Sequence, residues 1–199
     1  MLVSHKFKCI FIHIPKTGGV SVCRTLAENG IPADYYTLDH EPVRIACEFL
    51  AVCEKEKKEY FSFCFVRNPW DRFVSAYNFL LKGGSNEQDK EHRDEFITPY
   101  KTFNDFARNL NNTNALSQQH FRPQVEFINK DIDFVGRFEN LNKDFDIICK
   151  KVGISRKLTL KHLNKEPHEP YQTYYTSETE KIIRDSYKLD VDCFNYSFV

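Results

Sequence analysis

Short apolar runs that alternate with amphipathic segments are the most regular feature of the chain. Runs 9–14 and 60–66 are almost wholly apolar, as strands buried on both faces of a sheet are. Each run is followed by a segment whose apolar residues recur at helical spacing. The pattern predicts, in chain order, strand 8–14, helix 18–29, strand 35–38, helix 42–57, strand 61–66 and helix 69–81. This alternation predicts an α/β fold with a parallel sheet and right-handed crossovers.

The rest of the chain carries a less regular pattern. Residues 83–99 are mostly polar and are predicted to be irregular. A capping-box pattern, Ser177-Glu178-Thr179-Glu180, predicts the start of the last helix. The other predicted elements are helix 102–110, a helical region over 117–129, strand 132–137, helix 140–151 and a last helix from 177 to about 188.

The turn between the first predicted strand and the first predicted helix is suited to hold an anion. Its sequence is Pro15-Lys16-Thr17-Gly18-Gly19-Val20-Ser21. The helix N-terminus attracts phosphate or sulfate, and glycines let the backbone approach closely. Lys16 adds a positive charge, and the hydroxyls of Thr17 and Ser21 add donors. Taken alone, the tetrapeptide Lys-Thr-Gly-Gly (residues 16–19) also occurs as a C-capping turn with a solvated lysine.

A second strand-to-helix junction has the sequence Arg67-Asn68-Pro69-Trp70-Asp71-Arg72-Phe73-Val74-Ser75-Ala76-Tyr77. Asn68 is the predicted N-cap and Pro69 the first helical residue. Arg67 then lies at the carboxyl edge of the sheet, where ligands of parallel sheets bind. Arg67 and Ser75 are therefore predicted to hold a second anion beside the first. Trp70 and Tyr77 fit core positions better than base-stacking ones.

The two motifs, in this order, resemble the sulfotransferases that use 3′-phosphoadenosine 5′-phosphosulfate (PAPS), particularly the carbohydrate group that includes heparan sulfate 2-O-sulfotransferase. Segment 133–145 resembles a late strand-to-helix segment of that family, so the resemblance extends over nearly the whole chain. It implies a three-layer fold like that of P-loop NTPases, with a central parallel sheet flanked by helices. It also implies that Arg67 and Ser75 bind the 3′-phosphate. The 5′-phosphosulfate site is expected at Lys16, Thr17, Gly18, Gly19, Val20 and Ser21.

The predicted reaction moves the sulfuryl group of PAPS to a hydroxyl, and the resemblance implies a carbohydrate as the acceptor. It resembles phosphoryl transfer, in which positioning and electrostatics dominate. Lys16 is the residue expected to stabilise charge on the leaving oxygen. No metal is expected, because a sulfuryl group carries less charge than a terminal phosphate and the histidines lack metal-ligand spacing.

Two histidines compete for the role of base. His40 follows strand 35–38 and matches the position of the catalytic histidine of the heparan sulfate 2-O-sulfotransferase type, although a capping or surface role is the alternative. His120 is the rival base or an acceptor-binding residue, together with Arg122, or else a structural residue. His13 is expected beneath the anion turn, whereas His92 is expected to be exposed.

Composition fits one enzyme domain over residues 1–199. The chain has 28 basic residues (Lys and Arg) and 28 acidic residues (Asp and Glu). It therefore has no overall positive electrostatic field to attract nucleic acid or a membrane surface. The seven cysteines are odd in number and form no Cys-x-x-Cys, which indicates reduced core residues. Without a signal-peptide pattern or an apolar run of about 20 residues, a cytoplasmic location is expected. The predicted partners are the nucleotide donor and a glycan; the oligomeric state is open.

Two other function classes stay open. A P-loop kinase or NTPase needs Gly-x-x-x-x-Gly-Lys-Ser/Thr, but here Lys16 precedes the glycine pair. A non-catalytic protein that binds PAPS or adenosine 3′,5′-bisphosphate would share every anion-binding residue. Such a protein would differ mainly in lacking a competent base.

Overall fold

Two structural units make up the chain, and each encloses a hydrophobic core of its own. The computed structural model describes residues 1–31, 35–36, 59–128, 132–160 and 169–199. The first unit comprises residues 1–67 and 124–165, and the second comprises residues 68–123 and 166–199. The organisation of residues 1–199 as a single domain stays a prediction. The predicted helix 42–57 lies outside the described residues.

A mixed sheet is the centre of the first unit. Within the described residues its strands are β1 (Leu2–Ser4), β2 (Cys9–Ile12), β3 (Tyr35–Tyr36), β4 (Phe61–Val66) and β5 (Phe134–Arg137). The spatial order is β3-β1-β2-β4-β5. Strand β4 pairs in parallel with β2 and β5, whereas β1 pairs antiparallel with β2 and β3.

Helices account for most of the remaining regular structure. Those in the described residues are α1 (Gly19–Glu28), α2 (Pro69–Leu81), α3 (Glu87–Phe96), α4 (Phe103–Asn109), α5 (Leu141–Lys151), α6 (Ser177–Ser186) and α7 (Lys188–Phe194). Helices α1 and α5 belong to the first unit, and the others belong to the second. The predicted combination of a central sheet and flanking helices is thus confirmed. The three-layer, P-loop-NTPase-like arrangement stays a prediction.

The prediction of a wholly parallel sheet is wrong at β1. Apolar patterning assigns Lys8 to the first strand, but Lys8 lies in the turn between β1 and β2 with a φ angle of 47°. The chain reverses there, so β1 runs against β2. A strand of three residues is too short to show a periodic pattern.

The three parallel strands deliver their following residues to one edge of the sheet. The register pairs Ile12 with Cys64 and Val66 with Arg137. The turn after β2, Arg67 after β4 and Phe138 after β5 therefore leave the sheet at the same edge. In open parallel sheets this carboxyl edge is where ligands bind.

The core of the first unit lies between one face of the sheet and both of its described helices. Because side chains alternate along a strand, Cys9 and Phe11 share a face, as do Phe63 and Phe65. These side chains form one buried cluster with helix residues Val22, Cys23, Leu26, Phe145, Ile148 and Cys149.

The cysteines predicted in the core are buried free thiols: Cys9, Cys23, Cys64 and Cys149. Burial, with a smaller contribution from Cys149, raises the pKa of Cys9 to about 12. Burial and the nearby Asp146 likewise raise the pKa of Cys149 to about 11. Thiols with such pKa values are poor nucleophiles, so these cysteines serve in packing.

The second unit contains a helix where the sequence predicted irregular structure. Helix α3 lies within residues 83–99 and buries Asp89, His92 and Phe96 on one face. Two of these three are polar, so an apolar pattern could not reveal the face. The expectation that His92 is exposed is wrong for the same reason.

Predictions for the second half of the chain have mixed outcomes. Region 117–129 contains no α-helix among its described residues; short 3-10 helices, Ala115–Ser117 and Gln124–Phe127, lie on either side of Pro123. The helix predicted from 177 to about 188 is confirmed as α6 (Ser177–Ser186), and a further helix, α7, follows it. The capping box is formed by Thr176 and Thr179, each accepting a hydrogen bond from the other's backbone N–H, one residue earlier than predicted.

Aromatic residues dominate the core of the second unit. Phe73 stacks on Phe106 with ring centroids 5.5 Å apart. Trp70 and Tyr77 belong to the same cluster, which confirms their predicted core role. Arg72, in the first turn of α2, is only 1% exposed and lies inside this unit.

The predicted start of α2 is confirmed. Asn68 is the N-cap, and its side-chain oxygen accepts from the N–H of Trp70 at 3.1 Å and of Asp71 at 3.5 Å. Its amide nitrogen donates to the carbonyl of Ser197 at 2.9 Å and to the hydroxyl of Tyr171 at 3.4 Å. One side chain thus caps the helix and holds the C-terminal segment of the second unit.

Replacing Asn68 with Ala should therefore cost more than the loss of an ordinary cap. We expect Asn68→Ala to lower the free energy of unfolding by about 2 kcal/mol, because cap and tail bonds are lost together. The matched control is Asn86→Ala, which removes the exposed cap of α3 and should cost about 1 kcal/mol or less. Urea denaturation measures both. Equal losses would show that the bonds to Ser197 and Tyr171 contribute nothing.

Candidate anion-binding site

Left-handed backbone shapes the turn between β2 and α1. Lys16 has a φ angle of 67° and Gly18 one of 85°. Gly18 is the N-cap of α1, and the first intrahelical bond runs from the N–H of Val22 to its carbonyl. The N–H groups of Gly19, Val20 and Ser21 precede that bond and lie at the positive end of the helix dipole. This is the geometry that the sequence predicted for an anion site.

Both glycines of the turn are required by their surroundings. A β-carbon at Gly19 would overlap the imidazole ring of His13. One at Gly18 would lie 2.8 Å from Leu141 and 3.3 Å from Phe138. His13 is buried and stacks on Phe11 with ring centroids 5.9 Å apart. The histidine therefore supports the turn from beneath, as expected.

The two hydroxyls of the turn are both buried. Thr17 donates its hydroxyl to the carbonyl of Ile14 at 2.8 Å, which ties the turn to the end of the strand segment. Its proton is thereby engaged within the protein. Ser21 lies in the first turn of α1. The predicted donation by both hydroxyls to an anion stays a prediction.

Arg67 is the residue that anchors the turn to the neighbouring strand. Its Nη1 donates to the carbonyl of Lys16 at 3.1 Å. Its guanidinium carbon lies 4.2 Å from the centre of the Phe138 ring, a cation–π contact. The side chain is 7% exposed. The prediction that Arg67 and the Lys16 turn lie at one edge of the sheet is confirmed by this contact.

Gln124 fixes the backbone of Arg67 from both sides. Its Oε1 accepts from the N–H of Arg67 at 2.8 Å, and its Nε2 donates to the Arg67 carbonyl at 2.9 Å. The Gln124 side chain is fully buried. Sequence reasoning assigned no role to Gln124 or Phe138. Phe138 lies in segment 133–145 and Gln124 in the predicted helical region 117–129, but their contacts depend on tertiary pairing.

The remaining predicted site residues belong to the second unit or lie outside the described residues. Ser75 is buried in α2, in the second unit. Arg122 donates from Nη2 to the carbonyl of Ser117 at 2.8 Å within the same unit. His40 lies outside the described residues. The pairing of Arg67 with Ser75 and the roles of His40 and Arg122 stay predictions.

His120 forms a buried hydrogen-bonded pair with Asp89 in the second unit. Its Nε2 lies 2.8 Å from Oδ1 of Asp89, and the side chains are 4% and 1% exposed. The other carboxylate oxygen accepts from the N–H and hydroxyl of Ser85. The Phe79 ring lies 5.0 Å from the imidazole. These contacts account for the burial of His120 without any role in binding the acceptor substrate.

The surroundings of Asp89 determine its protonation. Burial by itself raises the pKa of Asp89, but the hydrogen bond and charge of His120, together with the hydrogen bonds of Ser85, lower it to about 2. Asp89 is therefore ionised in the folded protein at neutral pH. It holds helix α3 to the segment that carries His120.

The described residues offer neither a cluster of metal ligands nor a membrane-spanning helix. They contain no group of three or more His, Cys, Asp or Glu side chains placed to hold a metal ion. They also contain no helix long and apolar enough to cross a membrane.

The comparison with protein families decides the class of the chain. A family model described as the sulfotransferase family matches residues 1–197. The chain belongs to the sulfotransferase family. The resemblance predicted from the two motifs is thus confirmed, and membership supports sulfuryl transfer as the reaction.

Two relatives of this sulfotransferase are carbohydrate sulfotransferases. Carbohydrate sulfotransferase 14 of Danio rerio is 24% identical over 98% of the chain and 62% of its own length. Carbohydrate sulfotransferase 9 of Homo sapiens is 23% identical over 98% of the chain and 52% of its own length. The chain thus spans about half to three fifths of their length. An Archaeoglobus fulgidus protein described as "Uncharacterized protein" is 26% identical over 51% of the chain and 75% of its own length.

The overlap between His13 and a side chain at position 19 can be tested by a double-mutant cycle. Gly19→Ala should destabilise the protein by about 1–3 kcal/mol, because the methyl group collides with the imidazole. His13→Ala removes the colliding ring, so the double variant should lose less than the sum of the single losses. Thermal or urea unfolding measures all three variants.

Gly30→Ala is the control for that cycle. Gly30 has a φ angle of 67° but no neighbour that a β-carbon would meet, so the stability lost in Gly30→Ala arises from backbone strain alone. The stability losses of Gly30→Ala and His13→Ala should therefore be additive. Additive losses for Gly19→Ala and His13→Ala would contradict the packing of His13 against the turn.

The Asp89 pair should make stability depend on acid pH. Because the folded pKa of Asp89 lies below its ordinary value, its contribution is complete above about pH 4 and is lost as the pH falls through about 2. Asp89→Asn should cost about 2 kcal/mol at pH 5, and the difference from wild type should shrink towards pH 2. The exposed Asp192→Asn should change little. An unchanging Asp89→Asn difference between pH 5 and 2 would refute the assignment.

Proposed function

We propose that this sulfotransferase moves the sulfuryl group of PAPS to a carbohydrate hydroxyl. The observation that carries the proposal is the geometry of the anion turn. Lys16 and Gly18 have left-handed backbone just before α1, and Arg67 donates a hydrogen bond to the Lys16 carbonyl. The names of the two carbohydrate sulfotransferases support the acceptor class. The proposed location is the cytoplasm, on the sequence features alone.

The 5′-phosphosulfate is proposed to bind at the N–H groups that open α1. There the helix dipole and the Lys16 ammonium balance its charge without a metal. Arg67 and Ser75 are proposed to bind the 3′-phosphate that distinguishes PAPS from adenosine 5′-phosphosulfate. Arg67 has a charged group suited to a phosphate, and it is already fixed beside the turn.

In the proposed reaction, the acceptor oxygen attacks sulfur and the bond between sulfur and the 5′-phosphate oxygen breaks. Adenosine 3′,5′-bisphosphate leaves with the charge on that oxygen, which Lys16 stabilises. His40 is proposed to take the proton of the acceptor hydroxyl. His120 is a weaker candidate, because its imidazole is buried against Asp89.

Calorimetric titration and a transfer assay test the proposal together. Wild-type protein should bind adenosine 3′,5′-bisphosphate and should bind ATP with magnesium far more weakly. Labelled PAPS should then yield labelled glycan from a panel of sulfate-accepting polysaccharides. Preference for ATP would favour a nucleotide kinase, and binding without transfer to any hydroxyl acceptor would favour a non-catalytic protein.

Lys16→Ala should separate binding from chemistry. A charge on the leaving oxygen develops only in the transition state, so turnover should fall by about 10²- to 10³-fold while the dissociation constant of PAPS rises far less. The control is Lys8→Ala, since Lys8 is also a left-handed lysine but sits in the β1–β2 turn. Its turnover should equal that of wild type. A Lys16→Ala enzyme with normal turnover would remove Lys16 from the reaction.

A further inference from the structure

Phe138 contacts both parts of the proposed donor site in the first unit. It is the first residue after β5, at the edge of the sheet from which the anion turn and Arg67 also leave. The guanidinium carbon of Arg67 lies 4.2 Å from the centre of its ring. The same ring packs against Gly18, where an added β-carbon would lie 3.3 Å from its Cδ2.

The side chain of Arg67 contacts the Phe138 ring and the Lys16 carbonyl. Gln124 fixes the backbone N–H and carbonyl of Arg67. A free arginine side chain has many rotamers, and ordering it costs up to about 2 kcal/mol. An aromatic face that carries the guanidinium offsets part of that cost. In this position Nη1 lies 3.1 Å from the Lys16 carbonyl oxygen.

The hydrogen bond from Arg67 to Lys16 links the residue proposed to bind the 3′-phosphate to the turn proposed to bind the 5′-phosphosulfate. Lys16 has a left-handed backbone, which disfavours a residue with a β-carbon, and Arg67 satisfies its carbonyl there. An arginine displaced from the ring would lose this bond and would also leave the place where a phosphate could meet it. Phe138 has no polar side-chain atom to offer a phosphate, and it contacts the proposed donor site at Arg67 and Gly18.

We infer that Phe138 is a positioning residue that holds Arg67 against the Lys16 turn, so that binding of the donor's 3′-phosphate and the shape of its 5′-phosphosulfate site are coupled. The inference rests on the proposed function for the identity of the donor. The contacts that carry it join groups of the protein alone. They can therefore be tested with and without a nucleotide.

A double-mutant cycle on adenosine 3′,5′-bisphosphate binding gives the first test. Phe138→Leu should weaken binding by about 3- to 30-fold, as expected for the loss of a cation–π contact. In an Arg67→Ala background the same change should have little effect, because Phe138 acts through Arg67. Phe138→Tyr keeps the ring and should retain wild-type affinity. A Phe138→Leu loss that is equally large without Arg67 would overturn the inference.

Phe134→Leu is the matched control, since it makes the same substitution in the same strand segment, at a residue packed against the core of the first unit. It should change thermal stability as much as Phe138→Leu does or more, yet leave nucleotide affinity unchanged. If both variants lose nucleotide affinity in proportion to their loss of thermal stability, Phe138 has a general packing role.

Hydrogen exchange of the ligand-free protein tests the same contacts independently of the nucleotide. Amides of residues 16–20 should exchange faster than in wild type, by similar factors, in Phe138→Leu and in Arg67→Ala. In the double variant they should exchange no faster than in either single variant. Unchanged exchange in Phe138→Leu would overturn the inference. If exchange changes as expected but wild-type protein binds no adenosine 3′,5′-bisphosphate, the proposed donor is wrong while the positioning role of Phe138 stands.

Discussion

The hydrogen bond from Arg67 to the carbonyl of Lys16 is the interaction on which the candidate site depends. A lysine in left-handed conformation costs about 1 kcal/mol or more, and it persists only where other contacts fix the turn. Arg67 satisfies the Lys16 carbonyl from one strand, and Thr17 ties the turn to Ile14. With the turn fixed in this way, the first N–H groups of α1 are in place before a ligand arrives, which lowers the entropy lost on binding.

The parallel pairing of β2, β4 and β5 explains why these contacts are possible. Each strand ends at the same edge and contributes a different component: the turn after β2, the cation after β4 and the aromatic ring after β5. Close packing fixes their identities, since Gly18 and Gly19 leave room for Phe138 and His13. The site is therefore a property of the sheet edge, and changes in residues with no polar group can alter it.

Sequence patterns predicted the parts of the fold that local chemistry specifies. Asn68 and Pro69 mark the start of α2, and the apolar run before Arg67 marks β4, because capping and strand burial need only neighbouring residues. The direction of β1 could not be predicted, since three residues show no period. Helix α3 was missed because Asp89 and His92 occupy its buried face, and their burial depends on partners distant in sequence.

The buried polar residues of the two units serve different ends, and this bears on how loss of activity is interpreted. Thr17 and Arg67 hold the anion turn, so changing them alters the site directly. His120 and Asp89 hold the second unit together through a pair that is almost fully buried. Removing either partner leaves a buried group unsatisfied, which destabilises the fold. Lower activity after a change at His120 would therefore not identify a base, unless stability and nucleotide affinity were shown to be unchanged.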